Sequence, residues 1–184
     1  MQVAVYGGSF NPPHVAHVLC ASYLLGFSEV ERVLVVPVFD HAFDKDLASF
    51  VHRARMCELA FGWLPQLRVS RVEERLPTPS RTLQTLECLA RENPDDVLRL
   101  VIGSDVLFEK HAWHRFDEIE RIAPPLVLGR AGHEHPDAPP AVLPEVSSTK
   151  IRQLLRDAKS NHALLAAWVP PKVLAHIEQH GLYR

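Results

Sequence analysis

The sequence predicts an α/β fold, a doubly wound parallel sheet with helices on both faces. Two observations carry this. Short runs rich in Val, Leu and Ile alternate with helical patterns along almost the whole chain, and the runs themselves are near-continuously apolar. Strands with that composition are buried on both faces, which calls for a parallel sheet covered by right-handed crossover helices. A chain of 184 residues is large enough for one such sheet, so residues 1–184 are expected to form a single domain.

Val3 to Tyr6 is the first strand; it ends at Gly7-Gly8, and an amphipathic run over about 15–27 follows as the first helix. Val33 to Val38 is the second strand, with a helical pattern at 50–62 behind it. Leu67 to Val69 is a third, short strand before a helix at 81–92. Leu98 to Ile102 and Leu126 to Leu128 complete the sheet, separated by a helix at 115–122. Gly132 to Pro144, rich in proline and poor in strong apolar residues, is expected to be a surface loop. Two or three helices fill the tail: Ser147, Ser148 or Thr149 suits an N-cap, Pro170-Pro171 suits a helix start, and Gly181 suits the C-terminal cap of a helix ending at His180. No internal repeat is present.

Composition excludes several classes. No apolar run is long enough to span a bilayer and no signal peptide is evident, so the cytoplasm is the expected location. A formal net charge of -2 gives no reason to expect nucleic acid or a membrane surface as partner. The three cysteines, Cys20, Cys57 and Cys88, lie far apart inside predicted helices and read as small buried hydrophobes. Eleven histidines is a high count, yet no H-E-x-x-H or comparable spacing appears, so no protein-held metal is expected. His133 and His135, flanking Glu134, read as solvated loop. No pattern specifies an oligomeric state.

Tyr6 to His17 organises the rest. Paired glycines at a strand-to-helix turn let a backbone approach a ligand, and the helix onset directs unpaired N–H groups and a positive dipole end to the same place, so the turn suits phosphate. His14 and His17, three apart, share a helix face bordering that pocket. Neither G-x-G-x-x-G nor G-x-x-x-x-G-K-[ST] is present. The stretch Gly7-Gly8-Ser9-Phe10-Asn11-Pro12-Pro13-His14-Val15-Ala16-His17 does resemble the G-G-[ST]-F-[DN]-P-x-H-x-x-H signature of the nucleotidyltransferase superfamily, with Ala16 where Gly is usual. That resemblance implies a Rossmann-like nucleotidyltransferase fold, with the second histidine beside the α-phosphate of a nucleoside triphosphate.

Three further stretches carry the resemblance onward. Val146-Ser147-Ser148-Thr149-Lys150-Ile151-Arg152 is similar to the late I-S-S-T-x-[IV]-R signature. Gly103-Ser104-Asp105 with Trp113 looks like the G-x-D block and stacking tryptophan of the nicotinate and nicotinamide mononucleotide adenylyltransferases, although Lys110 stands where phenylalanine is usual. Pro79-Ser80-Arg81-Thr82 resembles that family's P-S-Y-T segment, with Arg81 replacing tyrosine. Core packing for Trp113 and helix capping for Asp105 are the alternative readings of those two residues. The family's P-P-H-[KR] loop is rebuilt here as Phe39 to Lys45, in which His41 and Lys45 could supply the missing cationic contacts.

The resemblance implies transfer of AMP from ATP to nicotinate mononucleotide, with nicotinamide mononucleotide an open alternative, and magnesium carried in with ATP. His17 and His14 with Arg152 would form the catalytic group. Gly7, Gly8, Ser9, Phe10, Gly103, Asp105, Arg130, Ser147, Ser148 and Thr149 would bind ATP; Ser80, Arg81, Thr82, Trp113, His41 and Lys45 would meet the acceptor. The same signatures also allow a transferase acting on another phosphate acceptor, such as phosphopantetheine, or a nucleotide-binding regulatory module without turnover.

Overall fold

In a computed structural model of the protein, residues 1–40 and 47–184 are described, without the side chains of 158–160. Five strands, β1 (Gln2–Gly8), β2 (Arg32–Pro37), β3 (Leu67–Val69), β4 (Val97–Gly103) and β5 (Pro125–Leu128), form one sheet in the order β3-β2-β1-β4-β5. Every pairing is parallel, with Val5 opposite both Leu34 and Leu100. The order reverses between β1 and β4, and in open sheets of this kind the crevice beyond that reversal is where ligands bind.

Alternation along the strands explains the two cores. Ala4, Val33 and Val35 turn to one face and meet Leu24 of α1 (Val15–Phe27), Met56 of α2 (Phe50–Phe61), Ile151 of α6 (Ser148–Leu155), Leu165 of α7 (Ala158–Trp168), and Val173 and Ile177 of α8 (Pro171–His180). Val3, Val5, Leu98 and Leu100 turn to the other face and meet Leu83, Leu86 and Leu89 of α3 (Thr82–Glu92) and Phe116 and Ile119 of α5 (Phe116–Ile122). Burial of these side chains, about 1.5–3 kcal/mol each, is what sets strand register and helix orientation.

The strands and helices expected from the sequence are present within a few residues of their expected bounds. Short elements were not foreseen: α4 (Ser104–Phe108) and 3₁₀ turns at Val72–Arg75 and Lys110–Ala112. Each is too short to display a helical period. Ser147 is the N-cap of α6, its hydroxyl accepting from the Lys150 N–H at 3.2 Å. Gly181 ends α8 at φ 61, a left-handed conformation that costs glycine little. Cys20 and Cys57 are buried as expected, but Cys88 is only half-buried, its Sγ 3.6 Å from Glu92 Oε1 near the end of α3. No described helix is long and apolar enough to cross a membrane.

Candidate active site

The carboxyl ends of β1 and β4 open into a cleft of about 860 Å³, and both signatures found in the sequence border it: Gly7, Ser9, His14 and His17 from the opening turn, Ser147, Ser148, Thr149 and Arg152 from the start of α6. Direct contacts join them. The Arg152 guanidinium donates to the Asn11 carbonyl at 3.0 Å, and the Ser148 hydroxyl donates to the Pro12 carbonyl at 2.9 Å. Two segments far apart in sequence thus form one wall.

The turn is held tightly. Phe10 takes φ 47, a left-handed conformation that costs a non-glycine residue about 1 kcal/mol or more, and the Asn11–Pro12 peptide is cis. The Phe10 ring is 1 % exposed and packs edge-on against Tyr6, His17 and Phe61, so its side chain belongs to the core, and a contact of Phe10 with ATP would fall to its backbone. A side chain at Gly8 would come within 3.2 Å of that ring, which accounts for glycine there.

His14 and His17 stack with ring centroids 3.7 Å apart. The backbone N–H of His14 donates to Nδ1 of His17 at 3.2 Å. That nitrogen is therefore an acceptor, and in the neutral ring the proton sits on Nε2, where it can be donated to a ligand. Burial, with Arg130 adding repulsion, lowers the His14 pKa from 6.5 to about 4. Burial, then the neighbouring His14 and Arg130, push His17 well below the ordinary imidazole range. Both rings are neutral at pH 7, and His14 Nδ1 is buried without a hydrogen-bond partner among the described residues. An arriving anion would offset these costs by favouring the protonated rings.

Beyond Arg152 the wall continues into a second cavity of about 610 Å³, which shares Thr149 and Arg152 and adds Arg156 and Arg184. Arg156 lies outside any signature, and its sequence surroundings gave no sign of it.

Gly103, Asp105, Trp113 and Arg130 line the same cleft. Arg130 and Asp105 form an ion pair at 2.7 Å. A Cβ on Gly103 would lie 2.3 Å from Asp105 Oδ1, so glycine is what lets this carboxylate fold back over the strand end. The buried Ser104 hydroxyl accepts from the Arg130 N–H at 2.9 Å and fixes β5 against β4 at the rim. Trp113 packs at right angles on Phe116 and still lines the cleft. Lys110 lies over the Phe116 ring, outside the lining.

Ser80, Arg81 and Thr82 do not line this cleft. Ser80 is tied instead to Asp40, donating its N–H to the Asp40 carbonyl at 3.2 Å and accepting the Asp40 N–H on its hydroxyl at 3.3 Å. Arg81 is exposed at the N-cap of α3. His41 and Lys45 lie outside the described residues.

Four side chains that brace the site were missed as site residues. Arg53, 1 % exposed, donates to the carbonyls of Ser9, Phe39 and Ala48, thereby fixing the phosphate turn and both flanks of the 41–46 segment. Asn11 accepts on its side-chain oxygen from the Ala48 N–H at 3.0 Å and the Tyr183 hydroxyl at 2.7 Å. Glu73, buried in a 3₁₀ turn, accepts from the Phe39 N–H at 2.8 Å and the Thr85 hydroxyl at 2.9 Å. An arginine inside an apolar helical run was the available signal for Arg53, because a charge at a core position needs partners.

The family model for cytidylyltransferase-like proteins matches residues 5–154. A protein of Anaeromyxobacter sp. (strain K), called "probable nicotinate-nucleotide adenylyltransferase", is 42% identical over 187 residues, covering 100% of this chain and 97% of its own length. A Myxococcus xanthus protein of the same description is 38% identical, with 100% and 95% covered. Among solved structures, Plasmodium falciparum nicotinic acid mononucleotide adenylyltransferase complexed with NaAD has the same fold, with TM-score 0.78, 18% identity, and 99% and 97% of the two chains covered. Its complex with APC gives TM-score 0.76 at 17% identity, covering 99% and 96%.

Proposed function

Because the chain belongs to the cytidylyltransferase-like family, we propose that it is a nicotinate-nucleotide adenylyltransferase, joining AMP from ATP to nicotinate mononucleotide and releasing pyrophosphate in NAD biosynthesis. The relatives that match over their whole length carry that name. The observation that carries the mechanism is the shared wall: His17 and Arg152 border one cleft, which Trp113 also lines.

The acceptor's phosphate is the nucleophile. Its second pKa is about 6, so at neutral pH it is largely dianionic and needs no general base. Its oxygen attacks the α-phosphorus as the bond to the bridging oxygen of pyrophosphate breaks. The protein's task is to align two polyanions and to stabilise the charge that spreads over the α-phosphate and leaving group. In this proposal Nε2 of His17 donates to the α-phosphate; His14 and the backbone at Gly8 and Ser9 meet the phosphate chain; and Ser147 to Thr149 with Arg152 hold its outer end. Asp105 accepts from ribose hydroxyls and Trp113 stacks on the pyridine ring. Residues 1–184 act as one catalytic unit.

The carboxylates bordering the cleft are Asp105 and Glu145, and Asp105 is already paired with Arg130. That donor set does not amount to a cage of oxygens for magnesium among the described residues, but it suits magnesium brought in on ATP and held by phosphates and water. Magnesium so bound would neutralise part of the pyrophosphate's charge.

The test is pyrophosphate release from ATP and magnesium with nicotinate mononucleotide, nicotinamide mononucleotide or phosphopantetheine as acceptor. Fastest turnover with the nicotinate acceptor is expected. A higher specificity constant for the amide would overturn the acid assignment, and turnover with phosphopantetheine alone would overturn the pyridine acceptor. ATP binding without release for any acceptor would leave a regulatory module.

A further inference from the structure

Three histidines meet on the surface where α2 packs on α8, away from the cleft: none of them borders either cavity. His52 comes from the first turn of α2, and His176 and His180 occupy one face of α8 at i and i+4 spacing. Their rings close a triangle with centroids 5.2, 4.8 and 4.4 Å apart. Nδ1 of His52 lies 3.1 Å from Nε2 of His176, and one nitrogen of each ring lies within 4.8 Å of the others.

From this arrangement we propose that His52, His176 and His180 bind one divalent transition-metal ion of the zinc class, which fastens α8 to α2. Zn–N bonds of about 2.0–2.1 Å in a tetrahedral site place ligand nitrogens about 3.3 Å apart. One pair is already near that separation, and rotation of the exposed His180 at the helix end brings in the third. Nitrogen donors alone select a borderline ion such as Zn²⁺ over Mg²⁺ or Ca²⁺, which require oxygen. Three protein ligands leave the fourth position to water. Arg55, one turn from His52, is held by Glu58 at 2.9 Å.

The fastening has a structural use. Arg53, next to His52, holds the Ser9 carbonyl, and the segment after His180 delivers Tyr183 to Asn11. An ion at the triangle therefore ties together the two helices that brace the phosphate turn from opposite ends. This group does not have H-E-x-x-H spacing. The H-x-x-x-H pair is present in α8, but its third partner lies 124 residues before His176.

The test uses the chain after chelator treatment, with Zn²⁺ alone as probe. Competition with a chromogenic chelator should give one ion per chain bound at micromolar affinity or tighter. Zn²⁺ at a hundredfold excess over its Kd should raise Tm by about 5–10 °C. His180→Ala and His176→Gln should each abolish both the binding and the shift, while adenylyl transfer by zinc-free His180→Ala, assayed with ATP and magnesium, matches zinc-free wild type and so reports a folded chain. Absence of Zn²⁺ binding by wild type, or unchanged binding by His180→Ala, would overturn the proposal, the second result placing the ion at other histidines. Either result leaves the adenylyl-transfer reading untouched.

Discussion

At the phosphate end of the cleft, the turn from Gly7 to Pro12 is tied down from four directions: by Arg53 at Ser9, by Arg152 and Tyr183 at Asn11, and by Ser148 at Pro12. Around Trp113, the proposed acceptor side, the ties are fewer and more exposed: the Asp105–Arg130 pair at the surface and Trp113 leaning on Phe116. The contrast suits the roles proposed for the two groups of residues. Charge developing on a phosphate is stabilised by donors fixed before the reaction begins, which demands a rigid scaffold. Choosing among acceptors depends on side chains that can be exchanged on loops without disturbing the sheet.

If that division is right, the largest effect should come from the phosphate end. His17→Ala should lower kcat by about a hundredfold or more, as for loss of one transition-state donor, while the KM for ATP changes only a few-fold. Near-normal turnover would remove His17 from the chemistry.

Next in size is a pH effect on stability, which should also originate at that end. The His14 pKa is about 4 in the folded chain and near 6.5 when unfolded, so between these values the unfolded chain binds more protons. The stability associated with a neutral His14 is fully present above pH 6.5, is lost as pH falls toward 4, and changes no further below that. The loss amounts to roughly 3 kcal/mol. Denaturant midpoints at pH 7 and pH 5 should converge in His14→Gln relative to wild type; an unchanged pH dependence would show that His14 is not the source.

At the acceptor end, Trp113→Ala should raise the KM for the mononucleotide about tenfold, the cost of one lost stacking platform, and leave that for ATP unaltered. An equal rise for both substrates would erase the distinction between the two ends. The smallest effect belongs to the brace. Tyr183→Phe removes one hydrogen bond to Asn11 and should raise the KM for ATP about threefold with no change for the acceptor.

The same contrast explains what the sequence disclosed. The sheet and helices were legible because buried parallel strands need continuous Val, Leu and Ile, and because Ser147, Pro171 and Gly181 chemically mark helix ends. His14, His17 and Arg152 were legible because their spacing from a strand end or a helix cap is local. The bracing contacts of Arg53, Asn11, Glu73 and Tyr183 were not, since each is made only after distant segments meet; Asn11 stands in the opening signature, which records the residue and not its partners. For Phe10 the ring is in the core, a placement not legible beforehand because a signature records which residue is required, not whether its side chain faces the ligand or the core. Ser80 to Thr82, expected to meet the acceptor, do not border the cleft, and Ser80 is hydrogen-bonded to Asp40.

The central claim is that two segments at opposite ends of the chain grip one triphosphate. A crystal structure with a non-hydrolysable ATP analogue tests it most directly. The account predicts the α-phosphate within about 3 Å of His17 Nε2 and the outer phosphates in contact with the N-terminus of α6 and Arg152. A triphosphate bound to only one of the two segments, with the other facing solvent, would contradict it.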